Sequence, residues 1–314
     1  MRPTWLVTGS AGFLGANAGL WLADRAETVG QARSGPAPTS EYGRTVLLDL
    51  RDLTATAAMV RRVRPDVILH AAAISGHETC AHDPEQAFAV NVEASRVIAE
   101  TAAEVGARMI YISTDAVFSG ARGNYAETDE PEPFSNYGET KLLGEKAVLA
   151  SATDALVART NFFGWSTSGR RSVLEFFVNS LRAGQDVKGY PDFIVTSIYV
   201  RSLVEILWRL TELRASGVVH VASSDAVSKH DFGVTVARVF GLAGDLISPE
   251  HSDVHGHLTS RSRDISLSTE LLASLVGAPP TQADGVRRAA EDEQTVAAAL
   301  RLLEVQEDLE PGLT

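Results

Sequence analysis

Short apolar runs alternate with longer amphipathic segments along the first half of the chain. Five runs have the length and continuous apolar character of strands buried in a parallel sheet, at residues 4–8, 46–48, 66–70, 109–112 and 155–158. Between them, apolar residues recur at helical spacing in segments that end near residues 23, 62, 104 and 150. A further strand is expected to end near residue 29. This alternation of strand and helix predicts an α/β fold built on a parallel sheet.

The order of these elements predicts a Rossmann-type doubly wound parallel sheet with a smaller C-terminal substrate-binding lobe. We expect the strand order 3-2-1-4-5-6, extended by an added strand near residues 218–222, with helices on both faces. Residues 291–314 are predicted to form an acidic tail that could dock on the body or fray.

Composition limits the function classes. The chain has 314 residues and a formal net charge of −12, which disfavours nucleic-acid binding and association with anionic membranes. No window reaches the roughly 18 apolar residues of a membrane span. The N-terminus leads directly into a strand, so we expect a cytoplasmic protein without a signal peptide.

Cysteine and histidine usage predicts neither a disulfide nor a metal site. The single cysteine, Cys80, excludes an intrachain disulfide, and is more typical of a small core residue than of a redox nucleophile. His70 and His77 lack the paired spacing of metal ligands. We interpret both as hydrogen-bonded structural histidines.

Three glycines directly follow the first predicted strand. Gly9 permits a tight turn, Gly12 lets the backbone approach a pyrophosphate, and Gly15 lets the following helix pack on the strand. The N-terminus of that helix would present amides to phosphates. About twenty residues further on, where an acidic residue binds the ribose of NAD, the chain has Arg33. A guanidinium suits a 2′-phosphate, so NADP(H) is favoured over NAD(H), although Arg33 could also be a solvated loop residue.

Tyr137 and Lys141 lie four residues apart at the start of a predicted helix, and therefore on one face. A lysine charge about 4 Å from the phenol is worth about 4 kcal/mol at an effective dielectric near 20, enough to bring a phenol pKa from ~10 to ~7. Such a pair can transfer protons near neutral pH, although the spacing alone also occurs by chance. Ser113 and Thr114 end the predicted fifth strand, at the edge where α/β sheets bind ligands.

Other strand ends, and one helix position, carry candidate ligand contacts. Asp49 and Leu50 follow a strand and could contact the adenine. The small residues at 71–73 leave room for a ligand at the sheet edge, or provide tight packing. Asn91 interrupts the apolar stripe of the predicted helix over residues 84–104. Because a buried asparagine needs hydrogen-bond partners, it would brace a neighbouring loop or order the active-site lysine through water.

Together these motifs resemble the extended short-chain dehydrogenase/reductase superfamily, in particular its dTDP-4-dehydrorhamnose reductase-like branch. The matching segments are T-G-S-A-G-F-L-G at 8–15, the alanines at 71–73, N-V at 91–92, S-T-D-A-V-F-S-G at 113–120 and Y-G-E-T-K-L-L-G-E at 137–145. Similar sugar-nucleotide dehydratases follow the threonine with Asp-Glu, whereas here Asp115 precedes Ala116. The resemblance therefore implies carbonyl reduction rather than dehydration.

The resemblance implies an NADP(H)-binding domain over residues 1–160 and a mainly substrate-binding lobe over residues 161–290, in which residues 194–222 return to the sheet.

By this resemblance the protein would be an NADPH-dependent reductase of a 4-keto group on a nucleotide-activated deoxysugar. Tyr137 would protonate the carbonyl oxygen, Thr114 would assist through its hydroxyl, and Lys141 would bind the nicotinamide ribose. The predicted cofactor residues are Gly9, Ala11, Gly12, Phe13, Leu14, Arg33, Asp49, Leu50, Ala71, Ala72, Ala73, Asn91, Tyr137 and Lys141. The predicted substrate residues are Asp115, Asn161 and Arg261. A noncatalytic nucleotide-binding regulatory subunit and a nucleotide-sugar epimerase are the alternatives.

In the second half of the chain, several residues could either contact a ligand or have a structural role. Arg159 could be paired beneath the sheet, while Asn161 could contact the substrate. The polar loop at 166–172, with Arg170 and Arg171, could close over ligand phosphates or be a surface loop.

Two further expectations concern a late strand, which contains arginines in the family, and the oligomeric state of the protein. Arg261 or Arg263 could bind a nucleotide diphosphate, or both could be exposed at a sheet edge, since a serine stands between them where the family has proline. The amphipathic helices at 84–104 and 136–150 could pair into a homodimer.

Overall fold

The structure of the protein is a computed structural model that describes residues 2–33, 43–251 and 263–301. The strands are β1 Thr4–Thr8, β2 Glu27–Ala32, β3 Arg44–Leu47, β4 Val67–His70, β5 Arg108–Thr114, β6 Leu156–Thr160, β7 Phe162–Phe163, β8 Val187–Gly189, β9 Ile194–Val195, β10 Ile198–Tyr199, β11 Gly217–His220, β12 Val227–Ser228 and β13 Ile247–Pro249. The α-helices are α1 Phe13–Leu22, α2 Leu53–Val63, α3 His77–His82, α4 Pro84–Phe88, α5 Ser95–Val105, α6 Asn136–Ser151, α7 Val173–Arg182, α8 Val200–Glu212, α9 Lys229–Phe240, α10 Glu270–Val276 and α11 Gln282–Glu291.

Within the described residues, seven strands form one central sheet in the order β11-β6-β5-β4-β1-β2-β3. Every neighbouring pair in this sheet is parallel. The predicted order 3-2-1-4-5-6 with one added strand is therefore confirmed, and β11 is the added strand beside β6. Helices flank the sheet, as expected for a doubly wound fold.

The strands read as continuous apolar runs because both faces of the sheet are covered. In β1, Trp5 and Val7 belong to one buried cluster while Leu6 belongs to another. In β5, Ile110 and Met109 divide between the same two clusters. Successive side chains of a strand point to opposite faces, so both clusters lie against the sheet and no polar alternation is needed.

The order of the strands reverses between β1 and β4, and this reversal places the candidate ligand site. Thr8 pairs with His70 at the ends of the two strands, so the segments that follow them lie side by side. Gly9 has φ 67°, and a Cβ there would collide with the backbone of Ala72. Glycine is required here because the backbone is left-handed and approaches its neighbour closely. Such a switch point is where open α/β sheets bind ligands.

The predicted continuous helix over residues 84–104 is wrong in one respect. Its first turn is α4, a π-helical turn follows at Ala89–Ala94, and α5 continues from Ser95. The extra residue of a π turn shifts the helix face, which a 3.6-residue pattern does not reveal.

The C-terminal part packs on the sheet and above it. Helix α8 packs on α1, and α7, α9 and α11 pack together as the lobe. The tail docks as far as the structure describes it, because Val296, Ala297 and Leu300 are buried. No helix among residues 2–33, 43–251 and 263–301 is long and apolar enough to cross a membrane.

Candidate active site

A cavity of about 310 Å³ opens at the C-terminal edge of the sheet. Its wall includes Thr114 and Asp115 from the end of β5, Tyr137 from the start of α6, and Asn161 from the end of β6. The structure therefore brings together four of the residues that the sequence analysis assigned to catalysis and substrate binding.

The start of α6 is fixed against the end of β5. Ser135 caps the helix by accepting a hydrogen bond from the Gly138 amide at 3.2 Å. Gly138 lies so close to the Ala116 carbonyl that a Cβ would collide with it. Tyr137, between these two residues, is consequently held beside Thr114.

Burial governs the ionisation of Tyr137. It raises the pKa of the phenol far above its usual value, a hydrogen bond with Thr114 opposes the shift, and the charge of Asp115 adds to it. This direction is opposite to the lowering expected from Lys141. The reason is that burial disfavours the phenolate, while the contact described for the Lys141 ammonium is with Tyr111, 3.9 Å from its ring centroid.

Lys141 is itself buried, and this burial lowers its pKa to about 7. The charge of Glu145, one turn further along α6, opposes that shift. A buried amine with a pKa near neutrality can change its protonation state at working pH, which is typical of a functional lysine.

Asp115 belongs to a chain of hydrogen bonds along the cavity wall. Ser197 Oγ donates to Asn161 Oδ1 at 2.5 Å, and Asn161 Nδ2 donates to Asp115 Oδ2 at 2.8 Å. Thr114 Oγ1 donates to the other carboxylate oxygen at 3.1 Å. Burial nevertheless raises the pKa of Asp115 to about 6. Asn161 therefore orients Asp115 and also lies on the cavity wall.

Ser113, beside the catalytic candidates, has a structural role. Its hydroxyl donates to Glu145, which also receives Arg159 Nε at 3.0 Å and Nη2 at 2.8 Å. Because successive strand residues face opposite sides, Thr114 points to the cavity while Ser113 points away from it. Of the two alternatives for Arg159, the structure supports the paired, buried one.

A second cavity, of about 450 Å³, lies over the glycine turn. The predicted cofactor residues on its wall are Gly9, Ala11, Gly12, Arg33, Asp49, Leu50, Ala72 and Ala73. Helix α1 begins at Phe13 with Gly12 as its N-cap and has no side-chain cap, so the amides of Phe13 and Leu14 belong to an uncapped helix N-terminus. A Cβ at Gly15 would collide with the Gly9 carbonyl. This side-chain-free cradle fits the pyrophosphate of a dinucleotide.

Asn91 acts as a brace. Its Oδ1 accepts from the Ile74 amide at 2.8 Å, and its Nδ2 donates to the Ile74 carbonyl at 3.0 Å and to Thr140 at 3.1 Å. These contacts tie the segment after β4, including Ala71–Ala73, to α6. Of the two alternatives for Asn91, bracing a loop is the one that the structure supports.

The two histidines have different environments. His70 is buried between Thr8 Oγ1 at 2.6 Å and Ser95 Oγ at 2.9 Å, as predicted for a structural histidine. Burial, followed by the charge of Lys141, lowers its pKa to about 3. His77 is instead exposed, lies on the wall of the first cavity, and meets the Tyr137 ring edge-on at 5.2 Å. The structure therefore adds His77 to the wall of this cavity, and its role as a hydrogen-bonded structural histidine stays a prediction.

Further residues on the second cavity escaped the list of predicted sites. Arg51, Thr167 and Arg171 lie on its wall. Arg51 lies in the segment between β3 and α2, and its position two residues after Asp49 was the available signal. Thr167 and Arg171 come from the 166–172 loop, for which a contact with ligand phosphates was one of the two alternatives, and the tertiary fold brings both residues to the cavity. Arg261 lies outside the described residues.

The 166–172 loop is ordered around one buried carboxylate. Glu175 accepts hydrogen bonds from the amides of Ser166 at 2.6 Å, Arg171 at 2.9 Å and Ser172 at 3.1 Å. Asn17, on the glycine-turn helix, donates to the Trp165 carbonyl at 2.9 Å. The loop is thus tied to the cofactor side of the molecule.

A family model described as RmlD substrate binding domain matches residues 3–295. The chain belongs to the RmlD family. The dTDP-4-dehydrorhamnose reductase of Mycobacterium tuberculosis is 32% identical over 237 residues, which cover 73% of this chain and 77% of the reductase. Methionine adenosyltransferase 2 subunit beta of Xenopus tropicalis is 29% identical over 252 residues, 78% of this chain and 74% of the subunit.

Solved structures of RmlD-type reductases share the fold. A dTDP-4-dehydrorhamnose reductase from Bacillus anthracis, determined in complex with NADP, superimposes with a TM-score of 0.84 over 93% of this chain and 100% of its own, at 22% identity. RmlD membership confirms the predicted fold class. It also confirms the predicted enzyme class, since the reductases of the family are NAD(P)-dependent oxidoreductases of the extended short-chain dehydrogenase/reductase type.

Proposed function

We propose that this RmlD-family protein is an NADPH-dependent reductase of a 4-keto group on a nucleotide-activated deoxysugar. The observation that carries the proposal is the placement of Thr114, Asp115 and Tyr137 on one cavity wall at the C-terminal edge of the sheet. A regulatory module that only binds nucleotides has no need of a buried phenol beside a hydroxyl on a cavity wall.

Tyr137 supplies the proton. Its raised pKa keeps the phenol neutral, which is the form needed to protonate a carbonyl oxygen as that oxygen gains negative charge. Thr114 lies within hydrogen-bonding reach of the phenol and helps to hold the reacting oxygen. Lys141, one turn further along α6, would bind the nicotinamide ribose; its ammonium lies on the ring of Tyr111, so Thr114 is the described partner of the phenol.

NADPH, when bound, supplies the hydride. The glycine cradle and the open amides of α1 would hold its pyrophosphate, and Arg33 would bind its 2′-phosphate. The NADP bound to the Bacillus anthracis reductase supports this choice of cofactor. Asp115 and Asn161 would bind hydroxyl groups of the sugar.

The test is turnover of NADPH with a panel of dTDP-, GDP- and CDP-linked 4-keto sugars, followed by cofactor absorbance and by NMR of the product. Tyr137→Phe is expected to lower kcat by about 10²–10⁴-fold and still to bind NADPH, which also verifies that the variant is folded. A Tyr137→Phe protein that reduces the sugar at the wild-type rate would refute the assignment.

A noncatalytic subunit is the second candidate, favoured by the similarity to methionine adenosyltransferase 2 subunit beta. The same experiment separates the two. NADPH binding without turnover of any sugar in the panel would support the subunit.

A further inference from the structure

Three charged side chains lie together at one end of the cavity over the glycine turn. Arg33 follows β2 directly, and Asp49 and Arg51 follow β3. All of them are on the cavity wall. In a doubly wound sheet the ends of these strands face the adenosine half of a dinucleotide. The net charge of the cluster therefore bears on which dinucleotide is bound.

Asp49 is held by Arg51 through several contacts. Arg51 Nη2 lies 2.6 Å from Asp49 Oδ2, its Nε lies 3.1 and 3.0 Å from the two carboxylate oxygens, and its amide donates to Oδ1 at 3.0 Å. These hydrogen bonds lower the pKa of Asp49, and the charge of Arg33 lowers it further. Asp49 is thus ionised, its charge is matched by Arg51, and Arg33 contributes the net positive charge.

Folding stability does not account for this pair. The side chains of Arg51 and Asp49 are 51% and 34% exposed, and ion pairs at such exposure stabilise a protein by only about 0–1 kcal/mol. The charges of Asp49 and Arg33 lie close enough for Arg33 to act on the carboxylate. An Asp49 carboxylate without a partner would therefore weaken the positive potential of Arg33 and repel a phosphate bound there.

We propose that Arg51 determines cofactor selectivity by neutralising Asp49, so that Arg33 can bind the 2′-phosphate of NADPH. This rests on the cofactor named in the proposed function, but on no particular sugar substrate. Arg51 acts through Asp49, and its guanidinium is a positioning group rather than the phosphate ligand.

The test uses two cofactor fragments and no substrate. Binding of 2′,5′-ADP and of 5′-AMP is measured by calorimetry for the wild type, for Arg51→Ala, and for the double variant Asp49→Asn with Arg51→Ala. Arg61→Ala is the matched control, because its guanidinium pairs with exposed Glu104 and it is not among the residues of the cavity wall.

Arg51→Ala is expected to weaken 2′,5′-ADP binding roughly tenfold, the effect of one unmatched charge about 7 Å from a divalent anion in water. Binding of 5′-AMP should change much less. The double variant should recover most of the lost affinity, because it removes the repelling charge together with the arginine. Arg61→Ala should resemble the wild type with both fragments.

Three results would overturn the inference. The wild type could bind 2′,5′-ADP no better than 5′-AMP, Arg51→Ala could leave their affinity ratio unchanged, or the double variant could bind as weakly as Arg51→Ala. The last result would make Arg51 a direct phosphate ligand. Failure to reduce any keto sugar would count against the proposed function alone, because this assay measures only fragment binding.

Discussion

The buried ion pair beneath the candidate active site offers a stability test with a matched control. Glu145 and Arg159 have side chains that are 3% and 4% exposed. The Glu145 carboxylate also accepts the Ser113 hydroxyl, so it connects α6, β5 and β6. We choose Glu145→Gln as the perturbation because it keeps the shape of the side chain and removes only its charge.

The expected loss is large because the remaining charge stays buried. Removing one partner of a buried ion pair costs about 3–5 kcal/mol, since the other charge is left uncompensated. Arg159 already has one buried donor that is not satisfied, because its Nη1 has no hydrogen-bond partner among the described residues. At about 2 °C per kcal/mol for a protein of this size, the melting temperature should fall by roughly 6–10 °C.

Urea unfolding of the cofactor-free protein measures this loss. The control is Glu104→Gln, which breaks the Arg61–Glu104 pair at 54% and 52% exposure and should cost less than about 1 kcal/mol. Replacing both buried partners, as Glu145→Leu with Arg159→Met, should cost less than Glu145→Gln alone. Equal losses for Glu145→Gln and Glu104→Gln would refute the reasoning.

Three other perturbations have defined outcomes. The pKa of Lys141 is about 7 in the folded chain and about 10.4 in the unfolded chain. The unfolded state therefore binds more protons between these pH values, and the free energy of unfolding rises with pH across them. Lys141→Met should abolish that rise, as measured by urea unfolding at several pH values. Glu175→Gln weakens the acceptor around which the 166–172 loop is ordered, and should cost about 1–3 kcal/mol and lower NADPH affinity, measured by melting and by calorimetry; unchanged affinity would show that the loop does not support the cofactor. Gly144→Ala would drive a Cβ into the Tyr111 hydroxyl and the Asn91 carbonyl, so we expect about 1–3 kcal/mol of destabilisation; a melting temperature equal to that of the wild type would contradict this packing.

Features set by local sequence were predicted well. The strand order follows from apolar runs that are buried on both faces, and the glycine turn follows from backbone conformations that only glycine adopts easily. Gly9 illustrates this, since the tight turn predicted for it requires the left-handed φ that it has, whereas its close approach to Ala72 depends on the neighbouring strand.

Features set by tertiary contacts were not predictable in the same way. The π-helical turn that contains Asn91 depends on partners from the segment after β4 and from α6, neither of which is encoded in helical periodicity. A ligand contact for Arg171 was one of two alternatives, and the fold of its loop around Glu175 places it on the cavity wall. His77 lies on the wall of the other cavity beside Tyr137, a position that depends on where α3 lies and that the sequence around it does not determine.

The pKa shifts of Tyr137 and Lys141 also could not be predicted from their spacing in the sequence. Of the two, Tyr137 lies on the wall of the candidate active site, whereas the ammonium of Lys141 lies on the ring of Tyr111. One nearby charge would be worth about 4 kcal/mol at an effective dielectric near 20. Burial of an ionisable group can shift its pKa by up to about 3–5 units, which is a comparable free energy of opposite sign for the phenolate. Spacing alone does not show whether the nearby charge or burial has the larger effect. In the folded chain, burial is the largest cause of the pKa shift at both residues.

The protonation state of Tyr137 is the one that the proposed reduction requires. A reductase needs a protonated phenol before hydride transfer, whereas an alcohol dehydrogenase needs the phenolate as its base. The raised pKa of Tyr137 keeps the phenol protonated but also makes it a weaker acid. The hydrogen bond with Thr114 favours the phenolate and so offsets part of that weakness as the proton leaves. The Thr114 hydroxyl beside the phenol of Tyr137 is therefore as important to the proposed chemistry as Lys141.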